Sequence, residues 1–352
     1  MDDIMQLKMA LDSRDMYGMI AGMPDHLEEG LAIGRSVDLR NLEAETFHSV
    51  LVAGMGGSAI AGDIAKSYLL DQLDIPLWVC RHYDMPEFVN KRTLVIASSY
   101  SGNTEETLSA YDRALDRGAR VIAISTGGKL AEKAAADDVP LMRIKPGLQP
   151  RAALGYSLAP LLMVLSRFGL CQDQGHDILV AAASMRRWAK AYAPDSVDNP
   201  ALQLARELRG TIPIIYAGYD RFDAVAYRFK CQVNENAETP AFANVFPEFN
   251  HNELVGYRGL YGLNDTFSVV ILRDNQDHRR IKARMDIVTL LLKEKGIKVL
   301  TLESHPGSEL ERIFYFIQLL DFASYYMALL NGLDPYPVQA IDHLKNELSK
   351  VN

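Results

Sequence analysis

Short apolar runs of four to six residues alternate along most of the chain with longer stretches in which apolar residues recur every three or four positions. The short runs predict strands buried on both faces, and the longer stretches predict amphipathic helices laid over them. That alternation is the grammar of βα units around largely parallel sheets. In the first half it predicts strands at 49–53, 77–80, 93–97, 120–124 and 140–144, with helices at 58–70, 104–117 and 128–136. A long apolar helix over 152–168 closes this half, a connecting helix follows over 177–192, and 194–200 reads as a linker. The second half restarts the pattern, with strands at 212–217, 268–272 and 298–302 and helices at 222–235, 279–295, 308–330 and 338–349. Residues up to about 45 have helical periodicity and scattered methionines, and are expected to pack on the outside.

One element occurs twice in nearly the same words. Ala114-Leu-Asp-Arg-Gly-Ala-Arg-Val-Ile-Ala-Ile124 parallels Leu292-Lys-Glu-Lys-Gly-Ile-Lys-Val-Leu-Thr-Leu302. Each reads as a helix end, a glycine suited to the left-handed cap position, a basic residue and a buried strand. Together with the restart near Thr211, this favours two similar α/β halves over one continuous sheet.

Composition narrows the class. The chain has 352 residues, 48% hydrophobic and 23% charged, enough for two ordinary domains with a substantial core. A formal net charge of −8 argues against a general nucleic-acid or membrane-surface binder, yet leaves room for a small anionic substrate held by local donors. The longest apolar runs are read as broken short of a bilayer span, and the start, Met1-Asp-Asp, lacks a basic leader. Cys80, Cys171 and Cys231 are widely spaced and form no CxxC pair, so neither a disulfide framework nor a zinc ribbon is expected. The expectation is a soluble cytoplasmic protein.

Two loops could hold a phosphate. Ala53-Gly-Met-Gly-Gly-Ser-Ala59 joins a strand to a helix, where glycines let backbone N–H groups approach an anion at the positive helix end. No Gly-Lys-Ser/Thr follows, so it is not a nucleotide P-loop, and a dinucleotide GxGxxG would need a glycine at Ala59. A tight packing turn is the plainer reading. Ser99-Tyr-Ser-Gly-Asn-Thr104 is the stronger signal, because Ser99, Ser101 and Thr104 all offer hydroxyl donors before a helix. A helix start needs one cap, which explains only part of such a string. The lack of Lys or Arg in it suggests neutral donors on a terminal phosphate.

This string resembles the phosphate loop of sugar isomerase (SIS) domains, which bind phosphosugars on a doubly wound five-stranded α/β fold. Gly54-Met-Gly-Gly-Ser58, Gly147-Leu-Gln-Pro-Arg-Ala-Ala153, Gln232-Val-Asn-Glu-Asn-Ala237 and Pro247-Glu-Phe-Asn-His-Asn-Glu-Leu254 follow in order. Together they resemble the bifunctional phosphoglucose/phosphomannose isomerase family, from about residue 45 to the C-terminus. The resemblance implies two SIS-type doubly wound parallel-sheet subdomains with flanking helices. Residues 1–45 would form a helical segment, 46–195 the first SIS domain and 196–352 the second with C-terminal helices. It further implies interconversion of glucose 6-phosphate, and of mannose 6-phosphate, with fructose 6-phosphate through a cis-enediol(ate), with no metal or other cofactor.

Such chemistry needs a base that moves a proton between C2 and C1, a ring-opening group and positive charge beside the enediolate. Glu235 is the candidate base, since Asn234-Glu-Asn236 resembles the segment carrying it; an arbitrary helix-end Glu is more often merely solvated. His251 is the candidate ring-opening acid, able to titrate near neutrality. The family implies that it reaches the site from the neighbouring subunit of a homodimer. Glu248-x-x-His251 could suggest a metal pair, but no second such motif accompanies it. Arg151 could stabilise the enediolate, although a lone Arg is commonly a surface ion pair. Lys345, on the last helix, completes the catalytic set by resemblance. Gly56, Gly57, Ser58, Ser99, Ser101 and Thr104 form the phosphate set. Ala59 and Ala61 stand where the family often has glycine, and Glu238 where a lysine is frequent; an inward Glu238 would raise the pKa of the base. The competing reading is a non-catalytic SIS-domain phosphosugar sensor. It lacks a spare helix-turn-helix module here and has no need of three catalytic groups.

Overall fold

The computed structural model describes residues 3–40, 42, 46–259 and 262–351. Three helices open the chain, α1 (Ile4–Leu11), α2 (Met16–Ala21) and α3 (Met23–Ser36). The first half then runs β1 (Ser49–Ala53), α4 (Gly56–Tyr68), β2 (Leu77–Cys80), β3 (Thr93–Ser98), α5 (Glu105–Asp116), β4 (Arg120–Ser125), α6 (Gly128–Ala136), β5 (Leu141–Arg143), α7 (Leu154–Arg167) and α8 (Gly175–Trp188). Helix α9 (Pro200–Leu208) leads into β6 (Ile212–Gly218), α10 (Asp223–Asn236), β7 (Phe242–Phe246) and a short helix α11 (Glu253–Gly256). The chain finishes with β8 (Phe267–Arg273), α12 (Arg279–Glu294), β9 (Lys298–Glu303), α13 (Glu309–Leu330) and α14 (Gln339–Leu348).

Two all-parallel sheets result, in the orders β2-β1-β3-β4-β5 and β7-β6-β8-β9. The second repeats the first four places of the first, with β6, β7, β8 and β9 standing for β1, β2, β3 and β4. This is the doubly wound arrangement expected from the sequence, although the second sheet has four strands. The repeated sequence element falls at matching places. Gly118 (φ +70°) turns α5 into β4, and Gly296 (φ +76°) turns α12 into β9. In each sheet the order reverses beside its first strand, so loops after β1 and β3 flank an open crevice where ligands of such folds sit.

Strands β1 and β3 are buried along their whole length, as continuous apolar runs covered on both faces should be. One apolar core runs through both halves, joining Val50, Ile96 and Leu162 to Ile215, Phe229 and Phe314. Helix α13 is its axis. By length and composition α13 is apolar enough to cross a bilayer, which corrects the reading that every apolar run falls short of that length. Yet 94% of its apolar window is buried inside the protein, which makes it a core helix. The N-terminal helices are not an outer layer either. Met16, Met23, Leu27 and Leu31 lie in the same core, and Gly30 and Gly34 let α3 press on α7, where an added Cβ would come within 2.8 Å of Gly155 O and 2.7 Å of the Met163 Cβ. The expected segment boundary at residue 45 lies outside the described residues.

Candidate active site

Ala53 pairs with Ala97, so the ends of β1 and β3 bring both phosphate-loop candidates to one crevice. Helix α4 begins at Gly56, two residues before the expected start, and its first N–H groups have no helical partner. Gly56 and Gly57 therefore present free amides, whereas Ser58 and Ala59 donate theirs to Met55 O at 3.1 and 3.3 Å. Ala59 and Ala61 are buried inside this helix. In the second loop Thr104 occupies the N-cap of α5, but its hydroxyl makes no capping bond. It pairs instead with Ser99 Oγ at 2.8 Å, and Ser99 Oγ also accepts the Gly102 N–H at 3.1 Å. The first amides of α5 therefore receive no side-chain cap. Gly102 has φ +73°, and an added Cβ would fall 1.8 Å from Gly127 O, so no other residue fits. Ser101 is exposed at the rim and accepts the Asn103 N–H at 3.2 Å.

Tyr100 ties this loop to the segment bearing Arg151. Its hydroxyl donates to Lys145 O at 3.0 Å and accepts the Leu148 N–H at 2.9 Å. Arg151, in a turn of 3₁₀ helix before α7, is only 4% exposed, so it is no surface ion pair. Its Nε donates to Asn236 Oδ1 at 2.6 Å, and Nη2 donates to Pro335 O at 2.6 Å and Tyr336 O at 2.9 Å. Nη1 contacts Gln149 at 3.3 Å and faces Glu235 Oε2 at 3.6 Å. The guanidinium is thus clamped between the first half, α10 and the C-terminal segment, with one edge turned to the candidate base.

Glu235 lies on the last turn of α10, with its side chain 30% exposed. Burial pushes its pKa up, while the charges of Arg151, then Arg228, Lys345 and Lys230 pull it down. Glu238, just beyond, is exposed and is not among the main groups that shift it. A cavity of about 120 Å³ is lined by Gly56, Gly57, Arg151, Arg228, Gln232 and Glu235, among others, whereas Ser58, Ser99, Ser101 and Thr104 are not in its lining. The Gly57 position has no room for a side chain, because a Cβ would meet Pro150 O at 2.6 Å.

Lys345 is exposed on α14, on the rim, within electrostatic reach of Glu235. His251 is not brought to the cavity within one chain. It sits exposed in a 3₁₀ turn held by stacking of Phe249 on Tyr216 (4.1 Å between ring centres). Sequence reasoning missed Arg81, Arg228, Gln232 and Cys231, which also line the cavity. Arg228 and Gln232 lie seven and three residues before Glu235, the spacing of one helix face, so the signal was present once α10 was assigned. Arg81 follows β2, at the carboxyl edge of the sheet where ligands bind. All three cysteines are free.

Comparison with known proteins decides the family. Over 339 residues the chain is 42% identical to a bifunctional phosphoglucose/phosphomannose isomerase of Caldicellulosiruptor bescii, covering 96% of this chain and 99% of that one. The chain belongs to the bifunctional phosphoglucose/phosphomannose isomerase family. A relative of the same name from Aquifex aeolicus is 34% identical, over 86% of this chain and 91% of its own length. Residues 197–348 match the family model described as the bacterial phospho-glucose isomerase C-terminal SIS domain. Among solved structures, a hypothetical protein from Thermus thermophilus superposes with a TM-score of 0.79 at 16% identity, covering 99% of this chain and 93% of that one. That likeness shows the shared fold.

Proposed function

We propose that this enzyme interconverts glucose 6-phosphate and mannose 6-phosphate with fructose 6-phosphate through a cis-enediolate, without a metal. The observation that carries the mechanism is the meeting of Arg151 Nη1 and Glu235 Oε2 at 3.6 Å in a cavity that also presents the Gly56 and Gly57 amides. The Glu235 carboxylate takes the proton from C2 of the open-chain aldose as the C1 carbonyl electrons move onto O1. It returns the proton to C1 while the hydroxyl proton passes from O2 to O1. Arg151, buried and fixed by its other hydrogen bonds, supplies preorganised positive charge beside the enediolate oxygens. Accepting both C2 epimers requires protonation of either face, or rotation of the intermediate about C2–C3. The amides of Gly56 and Gly57 with Ser58, Ser99, Ser101 and Thr104 anchor the phosphate, and Lys345 adds charge at the rim.

His251 opens the sugar ring from the neighbouring subunit of a homodimer, which fits its exposure away from its own chain's cavity. Residues 46–195 and 196–352 form the two SIS domains, behind the N-terminal helices of 1–45. The reaction serves cytoplasmic carbohydrate metabolism, in the glycolytic direction and in gluconeogenesis. A coupled assay of both aldose phosphates in the presence of EDTA tests the reading: turnover of both supports it, and turnover abolished by EDTA contradicts the metal-free mechanism.

A further inference from the structure

His251 is exposed, and its imidazole makes no hydrogen bond among the described residues. Its neighbours are held firmly for a surface turn. Phe249 is buried, stacked on Tyr216 with 4.1 Å between ring centres and set edge-on to Phe246 at 4.7 Å. Arg284 Nη1 donates to Asn250 Oδ1 at 3.2 Å. The Asn252 side chain spans the turn, donating to Glu248 Oε1 at 2.9 Å and accepting the Glu253 N–H at 2.6 Å. Exposed turns are ordinarily mobile, and holding one still costs conformational entropy. Here the residues on either side of the histidine are tied down and the imidazole alone is left free.

Glu253 joins that turn to the second sheet. Its Oε1 accepts from the Tyr216 hydroxyl and its Oε2 from Asn244 Nδ2 at 2.6 Å. Tyr216 is buried on β6, and Asn244 lies on β7 with its amide oriented by the Val245 N–H, which donates to Asn244 Oδ1 at 2.8 Å. The Tyr216 ring also lies under Phe249, so one side chain grips the turn before and after His251. No cation pairs with Glu253 among the described residues, so its carboxylate serves as a double acceptor and not as half of an ion pair. We propose that Glu253 is a positioning residue for His251, locking the turn that presents the imidazole to the sugar ring. This rests on the assignment of ring opening to His251. In that step the imidazole gives a proton to the ring oxygen as its bond to C1 breaks, and takes one from the C1 hydroxyl. Such transfers need heavy atoms within about 2.6–3.2 Å. A histidine that works in the cavity of a neighbouring subunit is aimed only by the turn that carries it.

The test is a double-mutant cycle, read as kcat/KM for glucose 6-phosphate in the parent, Glu253→Ala, His251→Ala and the double variant. His251→Ala should keep the turnover of sugar that opens spontaneously, so a second loss stays measurable. Glu253→Ala should cost about tenfold or more in the parent, and less than about twofold once His251 is gone. A glutamate that only supports the fold would cost the same in both backgrounds, and that result overturns the proposal. So does a cost below about twofold in the parent, or parental activity in His251→Ala, which would show that the histidine itself is not used. If Glu253→Ala does not fold, as seen by circular dichroism, Tyr216→Phe takes its place, since it removes one donor to the carboxylate and keeps the ring under Phe249; equal losses in both backgrounds there count against the proposal. Failure of the isomerase reading is separately visible, because the parent would then not turn over glucose 6-phosphate at all.

Discussion

Gly57→Ala puts the closest contact in the site under load. The new Cβ would lie 2.6 Å from Pro150 O and 3.3 Å from Pro150 C, against ordinary contact beginning near 3.4 Å. The 149–151 turn must then retreat by about 0.8 Å, and Arg151 sits at its end. Stability is a poor reporter of this strain. Overpacking costs about 1–3 kcal/mol, but alanine is about 1 kcal/mol the better helix former, so the net loss is small. Activity should report it clearly. A misplacement on the order of 1 Å can cost about 100-fold in rate, so kcat is expected to fall about 10- to 100-fold. Both aldose phosphates should be affected alike, since Arg151 serves a common intermediate. The assay is steady-state kinetics with a coupled readout, beside a thermal melt. A variant that keeps kcat within threefold of the parent would refute the idea that this contact sets the position of Arg151.

Three further outcomes follow from the same geometry. Asp321→Asn turns a donor toward Arg228 and leaves its buried charge unpaired, at a cost of about 3–5 kcal/mol; with an unfolding entropy of about 0.7 kcal/mol/K for this length, the melting midpoint should drop by about 4–7 °C, and a drop under 1 °C would contradict the pairing. Burial raises the Glu235 pKa in the free enzyme, so the acid limb of the kcat/KM profile should lie above the ordinary glutamate value of 4.5, and a limb at or below it would count against this base. A carboxyl with a raised folded pKa favours the protonated folded state at low pH and destabilises the fold as pH rises through that pKa. Glu235→Gln should accordingly melt no lower than the parent at pH 7, with any advantage shrinking toward acid pH; a variant clearly less stable at pH 7 would contradict that sign.

Much of the fold was legible because parallel strands buried on both faces are uninterrupted apolar runs, and β1, β3, β6 and β8 fall at or near their expected bounds. The element that escaped, β7, is an edge strand with Phe242 exposed and Asn244 at its centre, so it has no such run. Helix α9 follows the expected linker of 194–200 in a stretch for which no element was expected, although its start signal is present: Asn199 caps it by accepting the Leu202 N–H at 2.9 Å, and Pro200 takes the first position. In the site, residues with recognisable loop chemistry were found, while Arg228 and Gln232 were not. Their roles depend on Asp321, 89 residues beyond Gln232, and no local pattern encodes a contact at that range.

The central claim is that Glu235 moves the proton between C2 and C1. Glu235→Gln keeps the shape of the site and removes the base. With fructose 6-phosphate in deuterated water, the parent should release glucose 6-phosphate and mannose 6-phosphate and exchange solvent deuterium into the sugar. The variant should do neither, yet still bind the phosphosugar. Isomerisation or exchange at the parental rate in Glu235→Gln would show that another group is the base.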